Sequence, residues 1–76
     1  MEEKLIDLIA EICDTDDVRE RLDIDLFEAG LLDSLGAIDL LVEIEEEFGV
    51  IIAPTELERS EMNTVNKIIE RVKERL

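Results

Sequence analysis

Ser34, flanked by Asp33 and Leu35 in the stretch GLLDSLGAIDLL over residues 30–41, is the side chain of this sequence best placed to take part in covalent chemistry. A serine hydroxyl becomes a useful nucleophile only when a base within hydrogen-bond reach removes its proton. The chain contains no histidine. Neither a nucleophile elbow nor a serine–lysine motif surrounds Ser34, and Lys4, Lys67 and Lys73 stand at no recognisable spacing from it. The sequence therefore argues against an intrinsic serine hydrolase and leaves two uses for the hydroxyl. Ser34 is either a helix cap or a group modified by another protein. The second use suits the place, because a helix N-terminus stabilises an anion by about 0.3–1 kcal/mol through its dipole and open N–H groups, and a phosphodiester on Ser34 would sit there.

Other candidate chemistry is weaker. The calcium-loop pattern fails at Asp14–Val18, where Val18 stands in a ligand position, and at Asp23–Phe27, where Phe27 does; neither has the central glycine. No metal site is expected. Cys13, the single cysteine, continues the apolar row Ile6, Ile9 and Cys13 and reads as a small core residue.

The elements that must position Ser34 follow from periodicity. Leu5, Leu8, Ile9 and Ile12, widened by Ile6 and Cys13, define a first amphipathic helix that ends at Asp14–Asp17. Residues 18–32 hold Val18, Leu22, Ile24, Leu26 and Phe27 without a sustained period, which predicts a long ordered loop pinned by those apolar groups, with a turn at Gly30. A second helix is predicted from Asp33 or Ser34 to Gly49, its core stripe Ala37, Leu41, Ile44 and Phe48 joined by Ile38 and Leu40. Gly36, Asp39, Glu43, Glu46 and Glu47 fall on its opposite side. After an extended connection over residues 50–54, Thr55 and Glu58 fit the capping box of a short helix ending near Glu61. Asn63 or Thr64 then caps a last helix with the stripe Val65, Ile68, Ile69, Val72 and Leu76. The expected fold class is all-α: a small four-helix bundle of three longer helices and one short one, with a long ordered first loop, in a single domain over residues 1–76.

Composition narrows the function further. Seventy-six residues bury only about 60% of the surface of the unfolded chain, too little to enclose a deep active site. With 22 acidic and 8 basic side chains the formal net charge is −14, which repels nucleic acid and anionic lipid and favours basic protein partners. The 11 Leu, 10 Ile, 5 Val and 2 Phe make 28 of 76 residues, enough apolar content for the chain to fold despite that charge. With a single cysteine and neither a signal peptide nor a membrane-length apolar run, a cytoplasmic protein without membrane insertion is expected, and a monomer because nothing in the sequence demands a dimer.

With Asp33-Ser34-Leu35 at the head of an acidic helix in a short helical chain, the sequence resembles the acyl and peptidyl carrier proteins over its whole length. The stretches FEAGLLDSLG, PTELER and MNTVNKII resemble more closely the branch of that family that carries D-alanine for teichoic acid modification. That branch usually has an aromatic residue where this chain has Met62, and often phenylalanine in place of Leu35. The resemblance implies that Ser34 receives 4′-phosphopantetheine covalently from a separate phosphopantetheinyl transferase, with Asp33 the acidic neighbour that assists it. It also implies a docking face on the second helix at Leu35, Asp39, Val42, Glu45 and Glu46. Of these, Leu35, Asp39, Val42 and Glu46 share one side of a helix. The protein would be no enzyme but a carrier and the substrate of its partners: a D-alanine (or other acyl) carrier protein ligase that loads the thiol, and a membrane-bound acyl transfer machinery that receives the cargo. Two other readings stay open. One is a discrete carrier for fatty acid, polyketide or non-ribosomal peptide synthesis, and the other a cofactor-free acidic protein-interaction module.

Overall fold

The computed structural model describes residues 1–56 and 58–76. Three α-helices, α1 (Glu2–Cys13), α2 (Ser34–Phe48) and α3 (Val65–Lys73), account for the regular structure, with single 3₁₀ turns at Asp17–Arg19 and Arg59–Glu61; among the described residues there is no strand. Helix α1 lies against both α2 and α3.

Helices α1 and α3 bury the faces that their periodicity marks. In α1 the buried residues are Leu5, Ile9, Ala10 and Cys13, with Ile6, Leu8 and Ile12 half-buried beside them. Asp14 ends this helix in the left-handed region at φ 55°, where its own N–H reaches Glu11 O at 3.3 Å and the N–H of Thr15 reaches Ala10 O at 3.1 Å. Aspartate tolerates that conformation better than most residues. In α3, Thr64 rather than Asn63 is the cap, its Oγ1 accepting from the Lys67 amide at 3.1 Å, and Val65, Ile68, Ile69 and Val72 are buried. Leu76, expected on this stripe, lies beyond the helix and is exposed.

The loop between α1 and α2 is ordered by apolar anchors and by polar bonds to α3. Val18, Leu26 and Leu32 are buried, and Leu22, Ile24 and Phe27 pack partly against the core. The amide of Leu26 donates to Asn63 O at 2.7 Å, the amide of Asn66 donates to Leu22 O at 3.2 Å, and Asn66 Nδ2 donates to Asp23 Oδ1 at 2.6 Å. The apolar pins agree with the sequence reading; the asparagine bonds add to it.

The short fourth helix is replaced by other geometry in the described residues. Ala53–Glu56 closes as a β-turn, the Glu56 amide donating to Ala53 O at 2.9 Å, with Pro54 in the second position that its fixed φ favours. The capping box is present three residues later than Thr55–Glu58: Glu58 and Glu61 cap one another around the turn Arg59–Glu61. Leu57, inside the expected helix, lies outside the described residues. The preceding connection is extended, with Val50 and Ile52 buried and Ile51 exposed.

Ile38 departs from the expected core stripe. It is 45% exposed, whereas Leu40, Leu41 and Ile44 are buried and Ala37 and Phe48 are half-buried. It lies three residues after Leu35 and four before Val42, so it shares their side of α2, and they are 74% and 50% exposed.

Candidate functional site

The head of α2 is built by the turn that precedes it. Asp25 Oδ1 accepts from the amides of Phe27 and Glu28 at 3.0 Å each, and its Oδ2 accepts from Asn63 Nδ2 at 2.8 Å. The Glu28 amide is the main reason the Asp25 carboxyl lies below its ordinary value; the Asn63 amide, the Phe27 amide and the charge of Lys67 add to this against partial burial. The chain then turns through Gly30 at φ 75°, and the amides of Leu31 and Leu32 both reach Leu26 O, at 2.9 and 3.1 Å. Leu32 is buried, which fixes where Asp33 and Ser34 emerge.

Asp33 is the N-cap. Its backbone is extended, its Oδ1 accepts from the Gly36 amide at 2.7 Å, and its carbonyl accepts the first intrahelical bond from Ala37 at 2.8 Å. The cap is therefore Asp33, not Ser34, and this leaves the Ser34 hydroxyl for other contacts. Gly36 sits against this turn: a Cβ at that position would lie 3.1 Å from Leu32 Cδ1 and 3.2 Å from Asp33 Oδ1. The solvent-side placement expected for Gly36 gives way to a half-buried one, because its lack of a side chain lets the loop close on the helix.

Ser34 is exposed at the first position of α2. Its Oγ accepts from Arg59 Nη2 at 3.3 Å, and the Arg59 guanidinium carbon lies 4.4 Å from the centroid of the Phe27 ring. One oxygen of the neighbouring Asp33 carboxylate, Oδ1, accepts from the Gly36 amide. Among the described residues the Ser34 hydroxyl donates to no acceptor, and the local groups suit an anion: an arginine guanidinium, and a first helical turn whose leading amides have no intrahelical acceptors. Sequence reasoning missed Arg59 and Phe27 as neighbours of Ser34. Arg59 is 25 residues away, within the PTELER stretch, and nothing in its spacing reports the contact.

Further along α2, Leu35, Asp39, Val42, Glu45 and Glu46 are all exposed, and Ile38 joins them. Five of the eight basic residues form ion pairs: Lys4 with Glu47, Arg19 with Asp7 and Asp16, Arg71 with Glu70 and Glu74, Lys73 with Glu2, and Arg75 with Glu56 and Glu74. Among the described residues no cation pairs with Asp39, Glu43, Glu45 or Glu46. The outer side of α2 is thus an apolar ridge of Leu35, Ile38 and Val42 bordered by uncompensated carboxylates. Cys13, the last residue of α1, is buried on its core face, and burial pushes its thiol up from the ordinary value. Among the described residues no helix is long and apolar enough to cross a membrane.

The head of α2 thus presents an exposed hydroxyl beside a guanidinium and a capping carboxylate. In comparison with known proteins, residues 3–72 match the family described as phosphopantetheine attachment site, and the chain belongs to that family. Within it, the chain is similar to D-alanyl carrier proteins. It is 49% identical to that of Lactococcus lactis subsp. cremoris over 75 residues, 99% of this chain and 95% of the relative. It is 46% identical to that of Bacillus velezensis and 42% identical to that of Bacillus subtilis, each over 72 residues, 95% of this chain and 92% of the relative.

Proposed function

We propose that residues 1–76 act as a single carrier domain whose attachment residue is Ser34, and that its cargo is D-alanine destined for teichoic acid. The observation that carries the reading is the Ser34 hydroxyl itself, exposed at the head of α2, contacted by a guanidinium and left without a base. When bound, 4′-phosphopantetheine supplies a terminal thiol that holds an acyl group as a thioester. The chain contributes the oxygen of the new phosphoester bond; as it forms, the pyrophosphate P–O bond of the transferase's donor breaks, the nucleotide part of the donor leaves with the electron pair, and the hydroxyl proton goes to a base in the transferase. Asp33 holds the Gly36 amide in place, and its exposed carboxylate stands beside the transferred group, where it assists the transferase.

The outer side of α2 is the docking face. Leu35, Ile38 and Val42 supply buried area on contact, while Asp39, Glu45 and Glu46 draw basic partners and fix their register. Those partners are the phosphopantetheinyl transferase, a ligase that loads D-alanine, and a membrane-bound transfer machinery. The carrier works in the cytoplasm as a monomer and performs no chemistry of its own. D-alanine is favoured as cargo because the similar chains are named for it at 42–49% identity over nearly the full length.

Intact mass tests the attachment. Incubation with a broad-specificity phosphopantetheinyl transferase and its donor adds one phosphopantetheinyl group to the wild type and none to Ser34→Ala, which keeps its helical circular dichroism because Asp33, not Ser34, caps α2. An unchanged wild-type mass would leave a cofactor-free interaction module. Loading of the thiol by fatty acyl enzymes but not by a D-alanine ligase would move the cargo to another carrier class.

A further inference from the structure

Arg59 is placed unlike the paired cations of this chain. In a protein with 22 carboxylate side chains, its guanidinium contacts no carboxylate at ion-pair distance among the described residues. It donates instead to the neutral Ser34 hydroxyl at 3.3 Å and lies over the Phe27 ring at 4.4 Å. Its position is set by the backbone around it. The reciprocal cap between Glu58 and Glu61 fixes the turn that begins at Arg59, and Lys67 Nζ donates to Ser60 O at 3.0 Å, tying that turn to α3. Phe27 is held from the other side by the Asp25 carboxylate through its amide. Two separately anchored segments therefore bring a guanidinium and an aromatic face to one hydroxyl.

A neutral hydroxyl is a poor acceptor for such a group. A phosphodiester formed on the same oxygen places anionic non-bridging oxygens two bonds from Oγ, within reach of the same fork, and converts a neutral contact into a charge-assisted one, about twice as strong. We propose that Arg59 is the positioning residue for the phosphodiester at Ser34: its guanidinium pairs with a non-bridging oxygen and, backed by Phe27, holds the root of the arm against the turn at residues 59–61. The inference rests on the reading of Ser34 as the attachment residue. Its effect is on the arm's starting direction and mobility, since the first bonds of the arm lose freedom while the thiol end keeps it.

The test compares wild type, Arg59→Lys and Arg59→Ala after loading by the transferase, with intact mass establishing that each carries the arm. Arg59 is exposed, so the variants retain the fold, which circular dichroism checks. Three readouts follow the phosphodiester directly: its ³¹P chemical shift, the side-chain Nε–Hε resonance of Arg59 before and after loading, and the anisotropy of a fluorophore coupled to the arm's thiol. Loading of the wild type should move the Arg59 resonance. Arg59→Ala should shift the ³¹P signal towards that of the same protein unfolded in urea and lower the anisotropy, with Arg59→Lys between the two because it keeps the charge and loses the planar fork. Raising the salt concentration should bring the wild type towards Arg59→Ala. Identical ³¹P shifts and anisotropies in loaded wild type and Arg59→Ala would overturn the inference while leaving the attachment reading intact. A mass gain that persists in Ser34→Ala would overturn the attachment residue, and this role of Arg59 with it.

Discussion

Asp33 and Ser34 are adjacent, yet their side chains face different tasks, and substitution can separate them. Asp33 Oδ1 caps the Gly36 amide at 2.7 Å, so Asp33→Ala should cost about 0.5–2 kcal/mol in urea unfolding. Asp33→Asn keeps a side-chain oxygen able to cap and should stay within a few tenths of wild type, asparagine and aspartate being near-equal caps. If the carboxylate also serves the transferase, Asp33→Asn should load more slowly despite its retained stability; equal loading rates would confine Asp33 to capping. At this scale the helix start at Asp33 and Ser34 was legible, because a cap followed by an apolar period is a local property of the sequence. The arginine neighbour of Ser34 was not, since the contact depends on how the turn at residues 59–61 folds back on α2, and no local pattern encodes that.

The helices were legible where burial is one-sided. The faces of α1 and α3 follow their periodicity because each packs one stripe against the core. Helix α2 carries an apolar arc wider than its buried face, so periodicity alone points Ile38 inward; the structure puts it outward with Leu35 and Val42. The segment over residues 55–61 misled for another reason: Thr55 and Glu58 match a capping box, but Pro54 favours a β-turn at that place, and the box forms from Glu58 and Glu61 instead. The loop's asparagine bonds to Asp23 and Asp25 span 43 and 38 residues, a separation that no local pattern reports. The uncompensated acids of α2 lead to a prediction for this element. Asp39→Lys and Glu46→Lys should each slow loading by a basic transferase or ligase and flatten its dependence on ionic strength, measured as initial rates across a salt series. Unchanged rates would move docking to another face.

Across the whole molecule, the join between the first loop and Asn63, just ahead of α3, contributes to the response to acid. Asp25 is held ionised below its ordinary value of 3.8, chiefly by the Glu28 amide and also by Asn63, the Phe27 amide and Lys67. A carboxyl whose folded-state value is lowered stabilises the fold at pH above its unfolded value, and that stability disappears as pH falls through the lowered one. Urea midpoints should therefore fall on acidification from the ordinary carboxylate value downwards, less so in Asp25→Asn, and the Asp25 carboxyl ¹³C signal should titrate lower in the folded protein than in the unfolded chain. Coincident titrations would remove this clamp from the account. The depth of Cys13 acts at the same scale, on the fate of the cargo. Thioesters pass between sulfurs through attack by a thiolate, and a second accessible thiol on one small carrier would make every delivery a partition between two sulfurs. Cys13 is 8% exposed and its thiol is pushed up by burial, so the protein keeps its own sulfur out of that exchange. Thiol reagents should find one fast group in the protein that carries the unacylated arm and none in the protein without the arm, with Cys13 reacting on unfolding; acyl groups recovered on the Cys13 peptide would mean that the core opens faster than cargo is handed on. What looks like an ordinary core residue thus keeps the carrier's cargo private.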